Sequence, residues 1–293
     1  MAGKIKKSFY RVILALNYGW RNAHIGLLCC AFATLFALMP KQPQTTMKRI
    51  FALCLAAVFA LCACECAYAQ VKPDQDWAKF YRYEKANAEV LASGVRPDAV
   101  FMGNSITQNW AKYDADFFKN NNFVPRGISG QTTSHMLVRF RRDVLDLNPR
   151  AVVIMAGIND IALNNGKISH ENIMGNLTSM CELAKLHKIK VILCSVTPAV
   201  SFRWRKDIKC VPADEIIRLN TMIKEYAAKH KIPYVDYHSA LVDERKGMNR
   251  KYHKDEVHPN RLCYAEVLEP IILKTINKVL RTKHTYTTPI PQQ

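Results

Sequence analysis

The chain has 293 residues, 49% of them hydrophobic and 23% charged, which is enough to bury one sizeable core without a division into two domains. The formal net charge is +18, and residues 70–293 alone carry 34 Lys and Arg against 23 Asp and Glu. Such a balance favours acidic partners, but the basic residues are dispersed apart from Arg139, Arg141 and Arg142. We therefore expect a solvated basic surface and no nucleic-acid partner.

Residues 47–69 have the pattern of a secretory signal peptide. They begin with Met47-Lys-Arg, continue with an apolar run from Ile50 to Ala63, and end with Ala67-Tyr-Ala69. A basic start, an apolar stretch and small residues before the cut are typical of such signals, and the run is short for a membrane-spanning helix. We expect cleavage before Gln70 and an exported protein, periplasmic or secreted.

Two alternatives stay open for this end of the chain. Leu61-Cys-Ala-Cys64 loosely resembles a lipoprotein box, which would leave Cys64 acylated and the protein tethered to a membrane. Residues 1–46 contain a second apolar stretch, and because a signal peptide starts at the initiator Met, we interpret Met47 as the true start. On that interpretation residues 1–46 are not part of the mature protein; if Met1 is the start, the protein is membrane-bound.

Helical and strand patterns alternate along the rest of the chain. Within residues 70–96, six residues that recur at helical spacing predict an amphipathic helix packed on the domain: Trp77, Phe80, Tyr81, Glu84, Ala88 and Leu91. Apolar runs predict five strands: 98–102, 122–126, 151–156, 190–196 and 232–236. Four helices are predicted between and after them: 133–146, 173–187, 214–230 and 263–280. Residues 97–283 thus form the main domain, followed by a loose tail, 284–293.

This alternation predicts an α/β fold with a five-stranded parallel sheet and helices on both faces. The run 151–156 is continuous and β-branched, as is typical of parallel strands buried on both faces. In open parallel sheets, ligands bind beyond the carboxyl ends of the strands. Ser105, Gly130 and Asn159 follow the first three predicted strands, so we expect them to converge at one edge.

Four short segments carry groups suited to ester hydrolysis. They are Gly103-Asn-Ser-Ile-Thr107, Gly127-Ile-Ser-Gly-Gln131, Gly157-Ile-Asn-Asp160 and Asp255-Glu-Val-His-Pro259. The hydroxyl of Ser105, at the start of a helix, can attack an acyl carbon while its own N–H helps to hold the oxyanion. The backbone N–H of Gly130 can approach a substrate closely, and Asn159 can donate its side-chain amide to the same oxyanion.

The last of these segments places an acid and a base three residues apart. His258 can take the serine proton while Asp255 holds the required imidazole tautomer. Each residue alone has a simpler interpretation as a helix cap or turn residue, and the four segments in this order favour a serine esterase. A metal site formed by His253, Asp255 and His258 lacks the spacing of known zinc motifs, so we expect neither metal nor cofactor.

The four segments resemble the consensus blocks of the SGNH hydrolases, also called the GDSL-like lipase/acylhydrolase family, over about residues 97–282. The resemblance implies a flavodoxin-like, three-layer α/β/α sandwich. It also implies the site roles: Ser105 as nucleophile, Ser105, Gly130 and Asn159 as oxyanion donors, His258 as base and Asp255 as its acid. The ordinary α/β-hydrolase fold is disfavoured, because Thr107 replaces the second Gly of its Gly-x-Ser-x-Gly motif.

Two positions depart from the family pattern and keep a non-catalytic protein on the same fold among the alternatives. Asn104 stands where an Asp is usual before the serine, and Glu256 stands where a Gly is usual after the acid. We include Asn104 among the candidate substrate-binding residues, together with Arg203 and Trp204, whose aromatic and basic groups could stack on a sugar and hold its polar groups.

The resulting hypothesis is an exported serine esterase that hydrolyses short acyl esters, especially acetyl esters of carbohydrates, through an acyl-enzyme on Ser105. The partner is then a small-molecule or glycan ester, and a membrane is involved only if the N-terminus is retained or Cys64 is acylated. The alternatives are a lipid acylhydrolase or thioesterase, and a non-catalytic glycan-binding protein on the same fold.

Overall fold

One parallel sheet of five strands organises the domain, in the order β2–β1–β3–β4–β5. The strands are β1 (Ala99–Gly103), β2 (Phe123–Gly127), β3 (Ala151–Met155), β4 (Lys190–Cys194) and β5 (Tyr234–Val235). The structure is a computed structural model that describes residues 75–205, 207 and 211–285. The predicted upstream segment 1–46, the signal peptide 47–69 and residues 286–293 of the tail lie outside the described residues.

Ten α-helices are present in the described part of the chain. They are α1 (Glu84–Ala92), α2 (Ser105–Tyr113), α3 (Ala115–Asn120), α4 (Thr133–Phe140), α5 (Ile158–Ile161), α6 (His170–Leu186), α7 (Pro212–Lys229), α8 (Tyr237–Leu241), α9 (Arg261–Cys263) and α10 (Glu269–Leu280). The predicted helix 133–146 is α4 followed by a π-helical segment, and the predicted helix 263–280 is interrupted in the same way. Over residues 75–205, 207 and 211–285, no helix is long and apolar enough to cross a membrane.

Side chains of each strand alternate between two apolar layers, one on each face of the sheet. Val100 and Met102 pack on the face covered by α4, α6 and α7, whereas Phe101 packs on the face covered by α2, α3 and α10. Burial on both faces explains why the strands are continuous apolar runs in the sequence. The predicted three-layer α/β/α sandwich is confirmed, and the strand order is that of the flavodoxin-like folds.

The first three strands of the chain end at the same level. Gly103, the last residue of β1, pairs in register with Gly127 of β2 and with Met155 of β3. The strand order reverses between β1 and β3, which is where such sheets bind ligands. A side chain at Gly127 would lie 2.3 Å from the backbone nitrogen of Gln108, so this glycine lets α2 pack directly against the strand end.

The N-terminal segment attaches to the domain differently from the prediction. Trp77, Tyr81 and Leu91 were expected to face the domain, but they are 58%, 47% and 56% exposed. Asn87 is buried instead, and its side chain donates a hydrogen bond to Asp143 and accepts one from Arg126. The surface that receives α1 presents charged groups, so polar contacts and not the apolar stripe fix this helix.

Candidate functional site

Ser105 is the first residue of α2 and lies directly after β1. The helix begins here because the Oδ1 atom of Asn104 accepts a hydrogen bond from the backbone N–H of Ile106, at 3.0 Å. Asn104 is buried, and its oxygen serves as this helix cap; a substrate contact by its side chain stays a prediction. An amide oxygen accepts this bond as a carboxylate does, so the departure from the family's Asp preserves the position of the serine.

The structure brings Ser105, His258 and Asp255 together. Ser105 Oγ lies 2.9 Å from His258 Nε2, and His258 Nδ1 lies 2.6 Å from Asp255 Oδ2. An ionised carboxylate only accepts hydrogen bonds, so Nδ1 of the neutral imidazole carries the proton and Nε2 accepts from the serine hydroxyl. This arrangement can transfer the hydroxyl proton to the imidazole.

Asp255 is held in its ionised form. Partial burial raises the pKa of this carboxyl, but hydrogen bonds from the His258 backbone, the His258 ring and the Val257 backbone outweigh it and bring the pKa below its ordinary value. The Oδ1 atom accepts the backbone N–H groups of Val257 and His258 at 3.1 and 2.8 Å, which leaves Oδ2 for the ring. The backbone of residues 257 and 258 therefore orients the carboxylate of Asp255.

Gly130 and Asn159 lie close to each other, because the side chain of Asn164 contacts both. Gly130 has φ +80°, a left-handed conformation that glycine adopts without strain. The buried side chain of Asn159 donates from Nδ2 to the carbonyl of Gln131 at 3.0 Å, which places its amide next to the Gly130 loop. Within the described residues, the backbone amides of Ser105 and Gly130 donate no hydrogen bond, so both remain available to an oxyanion.

A buried arginine supports this side of the site. Arg139 is 0% exposed and donates to the carbonyls of Gly103 and Arg126, at 3.0 and 2.8 Å, and to Gln131 Oε1 at 2.6 Å. Its charge is balanced by Asp143, 2.7 Å away. Burial lowers the pKa of Arg139 and the Asp143 carboxylate raises it. One side chain thus joins the ends of β1 and β2 to the loop that follows β2.

This role of Arg139 was missed in the sequence, where it was grouped with Arg141 and Arg142 as part of a basic surface. Arg139 lies three residues after Met136 and next to Phe140, both of which are fully buried on the core face of α4. A charge at that helical spacing on an apolar face was the available signal.

Asp160 is a second buried charge that the sequence reasoning left without a role. Its carboxylate accepts hydrogen bonds from the Thr133 backbone N–H and from Thr133 Oγ1, the latter at 2.6 Å. Burial raises the pKa of Asp160 to about 6, although these hydrogen bonds lower it. The contact fixes the segment that carries Asn159 to the start of α4.

Of the two remaining candidate residues, the structure brings only Trp204 to the site. The centre of the Trp204 ring lies 6.0 Å from that of His258, and its Nε1 donates to Asn164 Oδ1 at 3.0 Å. The side chain is 43% exposed and also contacts Phe202. Arg203 is exposed, and it makes no contact with the triad in the described part of the chain.

The carboxylate of Glu256 lies beside Arg245 and His253, with its Oε2 atom 3.7 Å from His253 Nε2. Its Oε1 atom lies 3.4 Å from Arg245, which is itself paired with Asp243 at 2.6 Å. The backbone N–H of Glu256 donates to His253 Nδ1 at 2.9 Å, with φ +70°, the left-handed region that favours glycine. The usual glycine of the family fits this backbone, and the glutamate occupies it with its carboxylate next to Arg245 and His253.

The described residues include no group of three or more His, Cys, Asp or Glu side chains arranged to hold a metal ion. In the segment 253–258, His253 and Asp255 both accept hydrogen bonds from backbone N–H groups. These two side chains serve to shape the loop.

Comparison with known proteins gives two closely similar structures. A candidate acylhydrolase from Bacteroides fragilis is 47% identical, with 70% of this chain and 99% of that chain covered and a TM-score of 0.67. A GDSL-like lipase from Bacteroides thetaiotaomicron is 45% identical, with 69% and 99% covered and a TM-score of 0.65.

A curated relative also matches, over a shorter region. The lipoprotein YqeF of Bacillus subtilis, described as uncharacterized, is 34% identical over 137 residues, which are 46% of each chain. This chain thus aligns with about half the length of that protein. The sequence model of the GDSL-like lipase/acylhydrolase family matches residues 101–265, which contain all four candidate segments. The chain belongs to the GDSL-like lipase/acylhydrolase family.

Proposed function

We propose that this protein is a serine esterase with Ser105 as its nucleophile. The observation that carries the proposal is the pair of hydrogen bonds Ser105 Oγ to His258 Nε2, 2.9 Å, and His258 Nδ1 to Asp255 Oδ2, 2.6 Å. A serine, a base in hydrogen-bond reach and an acid that orients the base are the parts that nucleophilic acyl transfer needs.

The reaction would run in two halves. Ser105 Oγ attacks the ester carbonyl carbon while its proton passes to His258 Nε2, and the carbonyl oxygen becomes an oxyanion. As this intermediate collapses, the proton goes to the leaving alcohol and the acyl group stays on the serine. Water then attacks the acyl-enzyme, again giving a proton to His258, which returns it to Ser105 as the acid leaves.

The proposal assigns three donors to the oxyanion: the backbone amides of Ser105 and Gly130 and the side-chain amide of Asn159. Asn159 has two N–H groups and one is used on Gln131, which leaves the other for the substrate. Such fixed donors make a large contribution to acyl transfer because they need no reorganisation as charge develops. The carboxylate of Asp255, with its lowered pKa, stabilises the imidazolium that forms at the same time.

We further propose that the substrate is a short acyl ester, especially an acetyl ester, of a carbohydrate. Trp204 offers a half-exposed aromatic face beside His258, on which a sugar ring can pack. The side chains bordering the oxyanion donors, Gln131 and Asn164, are polar amides. These surroundings suit a small acyl group and a polar alcohol better than a long hydrocarbon chain.

The test is hydrolysis of p-nitrophenyl acetate and octanoate by the wild type, by Ser105→Ala and by Ser179→Ala. Ser179 lies on α6 with its hydroxyl bonded to its own helix, so it controls for the same chemical change away from the site. We expect Ser105→Ala to lose at least about 10⁴-fold in kcat and Ser179→Ala to match the wild type. A wild type no faster than Ser105→Ala on either ester would refute the esterase.

The acyl-chain preference and the alcohol are tested separately. Faster hydrolysis of acetate than octanoate supports the short acyl group, and the reverse would favour the lipid acylhydrolase. Acetylated xylan, pectin and sialic acid then serve as sugar substrates, with ethyl acetate as a small control. Trp204→Ala should raise KM for the sugar esters and leave KM for ethyl acetate unchanged.

We also propose that the protein is exported. The proposal rests on the signal-peptide pattern of residues 47–69 and on the matched Bacillus subtilis relative, which is named a lipoprotein. Mass measurement of the mature N-terminus decides the form: a chain that starts at Gln70 supports cleavage, an acylated Cys64 supports a lipid anchor, and an unprocessed chain contradicts export by this signal.

A further inference from the structure

The carboxamide of Asn159 must present its nitrogen, not its oxygen, to an oxyanion. The two ends of an asparagine side chain are nearly the same size, so only hydrogen bonds decide which way it faces. Its Nδ2 donates to the Gln131 carbonyl at 3.0 Å, and its Oδ1 accepts from Asn164 Nδ2, also at 3.0 Å. Asn164 thus occupies the oxygen end of this amide.

The orientation of Asn164 is fixed in turn by Trp204. The indole Nε1 of Trp204 donates to Asn164 Oδ1 at 3.0 Å, and an indole nitrogen can only donate. The oxygen of Asn164 must therefore face Trp204, so its Nδ2 faces Asn159. Donation runs in one direction, from Trp204 to Asn164, from Asn164 to Asn159, and from Asn159 to Gln131.

Asn164 also touches the second oxyanion segment. Its Nδ2 lies 3.4 Å from the carbonyl oxygen of Gly130, and its backbone N–H donates to the carbonyl of Asn159 at 3.0 Å. The preceding residue, Leu163, has φ +55°, so the chain turns back toward the site at this point. One exposed asparagine is thereby connected to two oxyanion segments and to the aromatic edge.

We propose that Asn164 is a positioning residue that holds the Asn159 amide in its donating orientation and connects it to Trp204. The proposal rests on the esterase function proposed above. It has a consequence for specificity: a substrate ring packed on Trp204 restrains the indole, and the chain of hydrogen bonds carries that restraint to an oxyanion donor. Binding of the alcohol part then raises kcat as well as lowering KM.

The decisive variant is Asn164→Asp. A carboxylate keeps the acceptor for Trp204 but cannot donate to Asn159, and its charge repels the Asn159 oxygen. The Asn159 amide is then drawn to turn its nitrogen toward residue 164. We expect kcat on p-nitrophenyl acetate to fall, approaching the ~10²-fold loss caused by removing an oxyanion donor, with KM nearly unchanged.

Asn165→Asp is the matched control. It introduces the same charge one residue away, on an exposed side chain that makes no hydrogen bond within the described residues, and should keep wild-type kcat. Asn164→Gln retains the amide and should recover part of the lost kcat. Equal melting temperatures of the Asn164 and Asn165 variants exclude a loss of folding.

The connection to Trp204 is tested with Trp204→Phe, which keeps an aromatic face and removes the N–H donor. We expect a smaller fall in kcat than for Asn164→Asp, and little further fall when Trp204→Phe is combined with Asn164→Ala, because both remove the same connection. Independent, additive effects would overturn the connection.

Failure of this inference is distinguishable from failure of the esterase. If Ser105→Ala abolishes activity while Asn164→Asp has the kcat of Asn165→Asp, Asn164 has no positioning role and the serine esterase stands. If Ser105→Ala retains wild-type activity, the proposed function itself fails.

Discussion

The two halves of the candidate site are held in place by different kinds of interaction. The oxyanion half, which comprises the proposed oxyanion donors Ser105, Gly130 and Asn159, begins at strand ends and rests on buried charges. Arg139 beneath it is 0% exposed and Asp160 is 1% exposed, and each makes several hydrogen bonds. The geometry of the oxyanion half therefore depends on these contacts in the protein core.

The acid–base half, residues 255–258, is a loop between short elements. Its own backbone orients Asp255, and its outer contact is the ion pair of Glu256 with Arg245, whose side chains are 24% and 28% exposed. Ion pairs with such access to water stabilise a fold by only about 0–1 kcal/mol, whereas removing one partner of a buried pair costs about 3–5 kcal/mol. We therefore expect substitutions of the buried residues that support the oxyanion half to destabilise the protein strongly. Substitutions around the acid–base half should leave the stability of the protein nearly unchanged.

The largest expected effect is that of Arg139→Met. The variant leaves Asp143 buried without its cation and removes four hydrogen bonds, so we expect the free energy of unfolding to fall by about 3–5 kcal/mol. Urea denaturation of the variant and the wild type measures this difference in the free energy of unfolding. Arg142→Met, which alters a half-exposed arginine near α4, should change stability by no more than about 0.5 kcal/mol.

A double variant tests whether the buried carboxylate of Asp143 accounts for this loss of stability. Because the cost of Arg139→Met lies mainly in the stranded carboxylate, adding Asp143→Leu should recover part of the lost stability. A single variant as stable as the wild type would show that the buried network does not hold the oxyanion half.

Asp160 gives a pH-dependent test of the same half. Burial raises its pKa to about 6, so between about pH 4 and pH 6 the folded state binds this proton more tightly than the unfolded chain does. The resulting stability is present at low pH and is lost as the pH rises through that window. Asp160→Asn removes the titration, and its stability relative to the wild type should improve by up to about 3 kcal/mol from pH 4 to pH 7.

The measurement is the free energy of unfolding of both proteins across this pH range. Asp146→Asn, a change at an exposed carboxylate, should run parallel to the wild type. A difference between Asp160→Asn and wild type that does not vary with pH would mean that the carboxylate is not perturbed by burial.

Much of the fold could be predicted because buried parallel strands are continuous apolar runs. The run 151–156 became β3 almost unchanged, but 190–196 ended as a strand at Cys194. Val196 remains apolar and buried, yet its backbone N–H donates to the side chain of Asn220 at 2.7 Å and not to a neighbouring strand. A hydrophobic pattern predicts that a segment is buried, but it does not predict which groups form hydrogen bonds with the backbone of that segment.

For the same reason, some residues of the candidate site can be recognised in the sequence and others cannot. Ser105, His258 and Asp255 could be selected because their spacing and their places after strands or before the last helix are visible locally. Arg139 is visible only as a charge on the apolar face of a helix, and Asn164 has no local signal, because their hydrogen-bond partners come from distant segments of the chain. The exposed face of α1 has a similar cause, since the groups that bind it, Arg126 and Asp143, belong to other elements.

The smallest expected effect concerns Glu256, in the acid–base half. At φ +70°, a side chain with a Cβ is strained, and the ion pair with Arg245 offsets only part of that strain. Glu256→Ala keeps the strain and loses the ion pair, whereas Glu256→Gly removes both. We expect the Gly variant to be more stable than the Ala variant by about 1 kcal/mol in thermal or urea unfolding.

Both variants should retain wild-type kcat, because the carboxylate faces Arg245 and lies outside the hydrogen bonds of Asp255 and His258. A fall in kcat in the Ala and Gly variants alike, without a fall in stability, would contradict this. It would mean that the charge of Glu256 contributes to the basicity of His258, and that the acid–base half depends on its surface ion pair as closely as the oxyanion half depends on Arg139.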